Sequence, residues 1–466
     1  MKLWRLLLSL ALYVLAVNGL QSCKLPVSRV ARSRGTLSGL SAHSKLANTK
    51  EYAYMVKIQL GDQDFSALLD TGSSDFWIVS TDCTSPDCAA VARYSANSSR
   101  SLIPTTTPFV LTYLLGSVTG YVAYETVFLG IYEIASQAFA IANNTQDLGL
   151  SVTGNSGVLG LCFPSSASIP ATAGKTLLEN LFASFAEDQR FFAFKLGRQT
   201  GLTDPTSSFT IGELDTEVTN VTAPLSFYPV VANSDGAYDY WKLSLRRLTI
   251  NGTVFPLSPS LVPGATNPIA VLDTGTTLML GPTIDVDAFW NSIGSPAIVR
   301  KGPQSGMWEV RCERSLLVGL VLGDDGREFP IDPQDTNWDQ KQSADGWCTG
   351  GIQANDGVVS GDWLLGDIFL RNVYVVHHGA NSTHPPLIGL TNVTDPQDAL
   401  QRFRDVRGAD VSPPTTLHIQ EARAGQRSSS MLLYTLSSAG GFVGGGIITY
   451  LVRLHLRRRA YGRVRG

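Results

Sequence analysis

Short segments that alternate apolar with polar residues, or that crowd β-branched residues together, recur along the chain at Tyr52 to Leu60, Phe209 to Leu214, Trp241 to Ile250 and Val373 to Val376. A period of two puts alternate side chains on one face of a strand, so these segments predict half-buried sheets. Helical periodicity is scarce. The clearest case is Thr176 to Glu187, where Leu177, Leu178, Leu181, Phe182 and Phe185 share a face. A second short helix is expected after Asp285, with Phe289, Trp290 and Ile293 turned inward. The pattern predicts a mostly β body, and the Asn, Ser, Asp and Gly residues clustered between Pro229 and Asp235 mark a boundary between two lobes of similar size.

Two of the apolar runs end alike. Ala67-Leu68-Leu69 leads into Asp70-Thr71-Gly72-Ser73-Ser74, and Ala270-Val271-Leu272 leads into Asp273-Thr274-Gly275-Thr276-Thr277. An apolar-apolar-Gly element follows each aspartate at nearly the same distance, with Gly160 lying 90 residues after Asp70 and Gly366 lying 93 after Asp273. This spacing reads as an internal repeat of a whole lobe.

Gly72 and Gly275 permit a turn that a side chain would hinder, at the end of a buried strand, and Thr71 and Thr274 can tie the two turns together. If the lobes meet about an approximate twofold axis, Asp70 and Asp273 face each other. Like charges that close cannot both ionise near neutral pH, so the pair shares one proton. One carboxyl then acts as acid and the other as base, and a water between them can attack a carbonyl without a metal, a cofactor or a covalent intermediate. Ser73 and Thr276, at matching positions, can donate to the outer carboxylate oxygens.

These residues resemble the pepsin-type aspartic endopeptidases, from roughly Glu51 to Asn392. The resemblance implies a bilobal, mostly β acid-protease fold with pseudo-twofold related lobes, acting on peptide or protein substrates held in an extended conformation. It also implies a flap, with Tyr113 as its tyrosine and Trp77 as the tryptophan that braces it. Family members usually have Gly and a small polar residue after that tyrosine; this chain has Leu114 and Leu115 before Gly116. The leucines add apolar surface over the cleft, which favours apolar substrate side chains. His377-His378 stands where the family tends to have an aromatic and an acid, and is read as structural, with no third ligand nearby for a metal. Of the six cysteines, the resemblance pairs Cys83 with Cys88 and Cys312 with Cys348. Cys162 is expected as a buried thiol, and Cys23 is expected to leave with a propeptide.

The ends of the chain change the picture. Residues 1–19 have Lys2 and Arg5, an apolar stretch and small residues before a cleavage point, the pattern of a secretory signal peptide. Residues 20–50 are the expected propeptide, followed by catalytic lobes at 51–232 and 233–392 and an exposed stalk at 393–430. Met431 to Val452 is an uncharged 22-residue stretch, and residues 453–466 hold six arginines and no acid. This predicts a C-terminal transmembrane helix with a cytosolic basic tail. A GPI signal beginning at Ser428-Ser429-Ser430 competes, but such signals normally end in the apolar stretch itself. Gly440, Gly441, Gly444 and Gly445 offer a face for a helix-mediated dimer. The chain is thus expected to be a single-pass type I membrane protein of the secretory pathway, at the cell surface or in a vacuolar or endosomal membrane, with its lobes lumenal or extracellular.

Sequons begin at Asn97, Asn143, Asn220, Asn251, Asn381 and Asn392, which makes a glycoprotein the expectation. The net charge of −3 conceals a division: residues 45–452 carry 24 basic and 39 acidic side chains, a net −15, whereas residues 1–44 carry six basic and no acidic ones. An acidic body argues against nucleic acid as a partner. A basic leader, with Arg29, Arg32, Arg34 and Lys45, suits a zymogen whose leader leaves the acidic cleft as pH falls. The reading is an aspartic endopeptidase working at acidic pH through water held between Asp70 and Asp273. The alternative is a catalytically silent binding or inhibitor protein on the same fold.

Overall fold

A computed structural model describes residues 23–25, 27–31, 52–198, 207–303, 305–338, 345–358, 361–408 and 410. Among them, strands dominate. An eight-stranded sheet carries the first half of the body, and a second large sheet carries the other half. In the first, Gln63–Asp70 runs parallel to Gly157–Gly160, with Asp70 opposite Gly160, and Phe76–Val79 pairs antiparallel to the same strand. In the second, Ile269–Leu272 runs parallel to Trp363–Leu365, and Met279–Gly281 pairs antiparallel to it. The matched spacings in sequence are thus matched neighbours in space, each half placing its apolar-apolar-Gly strand beside its Asp-bearing strand. All four residues of Ile269–Leu272 are buried, as are Leu69 and Asp70, so both turns start from the hydrophobic interior.

The halves are not separate bodies. A six-stranded sheet interleaves them, with Phe191–Lys195 from the first half paired to Val373–His378 from the second, and Ser226–Pro229 paired to Leu387–Asn392. The boundary expected at 232/233 therefore separates the large sheets but crosses a shared one. Asp335 adds a second tie, accepting from Arg198 at 2.6 Å and lying 3.1 Å from Arg371.

Strand boundaries fall close to expectation at Tyr52–Leu60, Lys242–Ile250 and Val373–His378, while the strand expected at Phe209 to Leu214 is Ser208–Ile211. The helix expected over Thr176 to Glu187 is Leu177–Ala183. Thr176 and Glu179 close its N-terminus as a reciprocal capping box. It ends early because Phe185, donating its N–H to the Phe182 carbonyl, turns into the core against Tyr132. The second helix, Thr283–Ile293, starts before Asp285 because the Asp356 carboxylate, 73 residues away, accepts from both the Thr283 N–H and its hydroxyl. Phe289, Trp290 and Ile293 are buried, as the periodicity required.

Within the segment expected as an exposed stalk, Pro396–Arg407 instead forms a helix capped by Asp395, with Ala399 and Phe403 buried one turn apart and Arg402 on Asp332. Part of the expected propeptide also joins the body: the backbone of Cys23–Leu25 pairs with Phe209–Ile211, and that of Val27–Ala31 with Tyr52–Val56. Among the described residues no helix is long and apolar enough to cross a membrane. The signal segment 1–19, Met431 to Val452 and the tail 453–466 lie outside the described residues, as do Arg32, Arg34 and Lys45.

Candidate active site

The Asp70 and Asp273 turns meet at the junction of the halves. Their threonines interlock: the Thr71 hydroxyl donates to the Leu272 carbonyl at 2.9 Å and accepts from the Thr274 N–H at 3.1 Å. The Thr274 hydroxyl donates to the Leu69 carbonyl at 2.7 Å and accepts from the Thr71 N–H at 3.0 Å. Each threonine thus binds the other turn twice, and four buried hydrogen bonds fix the spacing of the aspartates. Each is worth about 1 kcal/mol net and costs more to leave unmade.

Each carboxylate is held by its own turn in the same way. Gly72 N–H donates to Asp70 Oδ1 and Gly275 N–H to Asp273 Oδ1, both at 2.8 Å. On the outer oxygens, Ser73 Oγ donates to Asp70 Oδ2 at 2.5 Å and Thr276 Oγ1 to Asp273 Oδ2 at 2.6 Å. The glycines are required by the approach of the opposite turn: a Cβ on Gly72 would overlap the Asp273 carboxylate, and one on Gly275 would overlap that of Asp70. The two acids are nearly buried, Asp70 at 5% exposure and Asp273 at 7%. Burial first, then the Asp273 charge, pushes the Asp70 carboxyl up to about 7 from the ordinary 3.8, against the lowering pull of Ser73 and Gly72. The geometry supports a carboxyl pair that keeps a proton through mildly acidic pH.

Above the first turn, Ile103–Thr112 and Ser117–Leu129 form a hairpin whose tip contains Tyr113, Leu114, Leu115 and Gly116. Trp77 Nε1 donates to Tyr113 Oη at 2.7 Å, and Gly116, at φ +82°, closes the tip by accepting from the Tyr113 N–H at 3.0 Å. Trp77 is wholly buried, whereas Leu114 stands 47% exposed. The sequence reading missed Asp75. This buried carboxylate accepts from Ser168 and Ile169 N–H at 2.7 and 2.9 Å and so anchors the loop after Phe163, whose carbonyl accepts from Ser74. Its position five residues after Asp70 was visible, but partners 93 and 94 residues away were not.

The bridges Cys83–Cys88 and Cys312–Cys348 are present, and Cys162 is a buried thiol donating to the Asp239 carbonyl at 3.0 Å. His377 stacks on Phe192 at 4.6 Å, with neither ring nitrogen partnered among the described residues; burial pushes its pKa down to about 3, so it is neutral in the fold. Among the described residues no group of three or more His, Cys, Asp or Glu side chains is placed to hold a metal. Of the sequon asparagines, Asn97, Asn220 and Asn251 are exposed and Asn143 is half-buried. Asn381 and Asn392 are half-buried too, and their amide nitrogens are engaged, with His384 and with the Glu328 carbonyl.

Known proteins are similar to this chain over most of its length. The chain is 29% identical over 353 residues to a pregnancy-associated glycoprotein of Equus caballus, covering 73% of this chain and 82% of that relative. It is 29% identical over 361 residues to chymosin of Bos taurus, covering 76% and 84%. It is 28% identical over 336 residues to pepsin II-2/3 of Oryctolagus cuniculus, covering 71% and 79%. The model of the eukaryotic aspartyl protease family matches residues 51–387, a span that takes in both Asp-Thr-Gly turns, the flap, and the Phe191–Lys195 and Val373–His378 strands of the shared sheet. With the paired turns and their interlocked threonines, this makes the chain a member of the eukaryotic aspartyl protease family.

Proposed function

We propose that this chain is an endopeptidase that hydrolyses peptide bonds at acidic pH through a water activated between Asp70 and Asp273. The observation that carries the reading is the close approach of two nearly buried carboxyls, Asp70 and Asp273, each held by a glycine N–H and a hydroxyl, and the upward push on the Asp70 carboxyl from burial and from Asp273 agrees with it. With one proton on the pair, the ionised carboxylate takes a proton from the water as it attacks the scissile carbonyl, and the protonated one gives its proton to the carbonyl oxygen. Closure of the flap over an extended peptide would exclude bulk water and strengthen these interactions. Leu114 and Leu115 favour apolar residues in the substrate, and a cleavage survey showing a preference for basic residues would contradict that.

The test is hydrolysis of denatured protein at acidic pH by the full chain. Activity blocked by a statine-type transition-state mimic and lost in Asp70→Asn supports the proposal. Tight binding of the mimic without hydrolysis supports instead the silent binding protein, the reading favoured by the leucines at the flap tip.

The anchored topology belongs to the same proposal. The signal segment, the uncharged stretch Met431 to Val452 and the arginines after it support a type I membrane glycoprotein made as a zymogen, its lobes lumenal or extracellular. Carbonate-resistant membrane association and protease protection of the tail are the expected results. Exposure favours Asn97, Asn220 and Asn251 as glycan acceptors over Asn381 and Asn392, whose amide nitrogens already have partners; glycopeptide mapping measures this directly.

A further inference from the structure

The flap tip does not end over open solvent. A Cβ built on Gly357, in the second half, would lie 3.8 Å from Leu114 Cδ2, an ordinary van der Waals contact, and its one nearer neighbour would be the Asn355 side-chain oxygen at 3.0 Å. Leu114 therefore reaches across the cleft to a residue without a side chain.

The two partners differ in how they are held. The Gly357 side is pinned to its lobe: Asn355 N–H donates to the Gly281 carbonyl at 2.9 Å, Gly357 N–H donates to Asn355 Oδ1 at 2.7 Å, and Asp356 caps the Thr283–Ile293 helix. The Leu114 side is the turn of a hairpin whose outer strand, Ile103–Thr112, is a sheet edge and includes Pro104 and Pro108. A firm platform faces a tip that can lift, so opening the cleft means moving Leu114 off Gly357.

We propose that Leu114 and Gly357 form a cross-cleft latch, and that Gly357 is a specificity-determining position because the side-chain volume there sets the clearance beneath the flap. The proposal rests on the peptidase reading for its substrate, an extended peptide. The contact itself needs no chemistry. Losing the buried part of one leucine side chain is worth a factor of about 3 to 5 in the closed-to-open ratio. Because the latch must open for every substrate, the effect falls on association and not on the chemical step.

The experiment uses the full chain, with Leu114→Ser and Gly357→Ala as variants. Gly357 does not have a positive φ, and its built Cβ lies 3.0 Å from Asn355 Oδ1, so alanine fits with a shift of a few tenths of an ångström that keeps the bond from the Gly357 N–H, and adds a methyl group to the contact. Hydrogen exchange of the Tyr113 amide, which bonds to the Gly116 carbonyl across the tip, should speed up about 3- to 5-fold in Leu114→Ser, after correction for intrinsic rates, and slow in Gly357→Ala, with thermal midpoints unchanged. Association of a statine-type peptide should quicken in the first variant and slow in the second. In any peptidase assay of Gly357→Ala, kcat/KM should follow association, with kcat steady and bulky substrates discriminated most. Unchanged exchange and association in both variants would overturn the latch. Altered exchange without hydrolysis by any variant would retain the latch and reject the peptidase reading.

Discussion

The two Asp-Thr-Gly turns are almost interchangeable where they meet and quite different above that point. Both carboxylates accept from a glycine N–H two residues on and a hydroxyl three residues on, and both threonines grip the opposite turn. Among the described residues only the first turn lies beneath a braced hairpin, through Trp77 and Tyr113; the second half contributes the platform around Gly357. The difference separates two tasks. Proton transfer needs two equivalent acids that the environment makes unequal, whereas substrate admission needs one moving part and one fixed part. Duplication supplies the first task and divergence the second.

The largest effect should be symmetric. Asp70→Asn and Asp273→Asn should each lower kcat/KM by about 1,000-fold or more, since each removes one partner of the acid–base pair. A variant that retained a tenth of wild-type activity would break the equivalence of the turns, and steady-state kinetics on an unfolded protein substrate measures it.

The next prediction lies where the halves cannot be told apart, in the shared sheet. His377 is neutral in the fold with its pKa pushed down to about 3, against 6.5 when exposed. Its contribution to stability is therefore complete above pH 6.5 and is lost progressively as pH falls toward 3, because the unfolded chain takes up the proton first. At pH 4, His377→Phe should gain about 3 kcal/mol relative to its behaviour at pH 7.5. Urea unfolding at the two pH values checks this. Asp70 pulls the other way, its raised pKa giving stability that is complete below 3.8 and lost as pH rises through about 7.

Thr71→Val and Thr274→Val should then cost similar amounts, about 2 kcal/mol each, since either leaves a buried N–H and a buried carbonyl without partners. Clearly unequal costs in denaturant melts would show that the grip is carried by one side. Smallest is the asymmetric change. Trp77→Phe removes the donor to Tyr113 and should lower kcat/KM about tenfold with little loss of stability, an effect with no counterpart above the second turn among the described residues.

What the sequence disclosed follows from how far each interaction reaches along the chain. The paired turns, the hydroxyls three residues after each aspartate and the buried face of Thr283–Ile293 are local patterns, legible as spacing. The Trp77–Tyr113 bond spans 36 residues and was legible only through resemblance to a family. The shared sheet, the Asp356 cap on Thr283 and the Asp75 anchor join residues 73 to nearly 190 positions apart, and no periodicity announces them. The helix Pro396–Arg407 lies between. Ala399 and Phe403 are spaced for one face, but five charged residues in that stretch made it read as an exposed segment.

The central claim is that two opposed carboxyls jointly hold one proton. The most direct test is the pH dependence of kcat/KM for the full chain, from pH 3 to 8, beside that of Ser73→Ala. Wild type should lose activity as pH rises through about 7, and Ser73→Ala, which removes a hydrogen bond that favours the ionised Asp70, should move that limb to higher pH. Activity that persists undiminished above pH 8, or a limb that Ser73→Ala leaves in place, would contradict it.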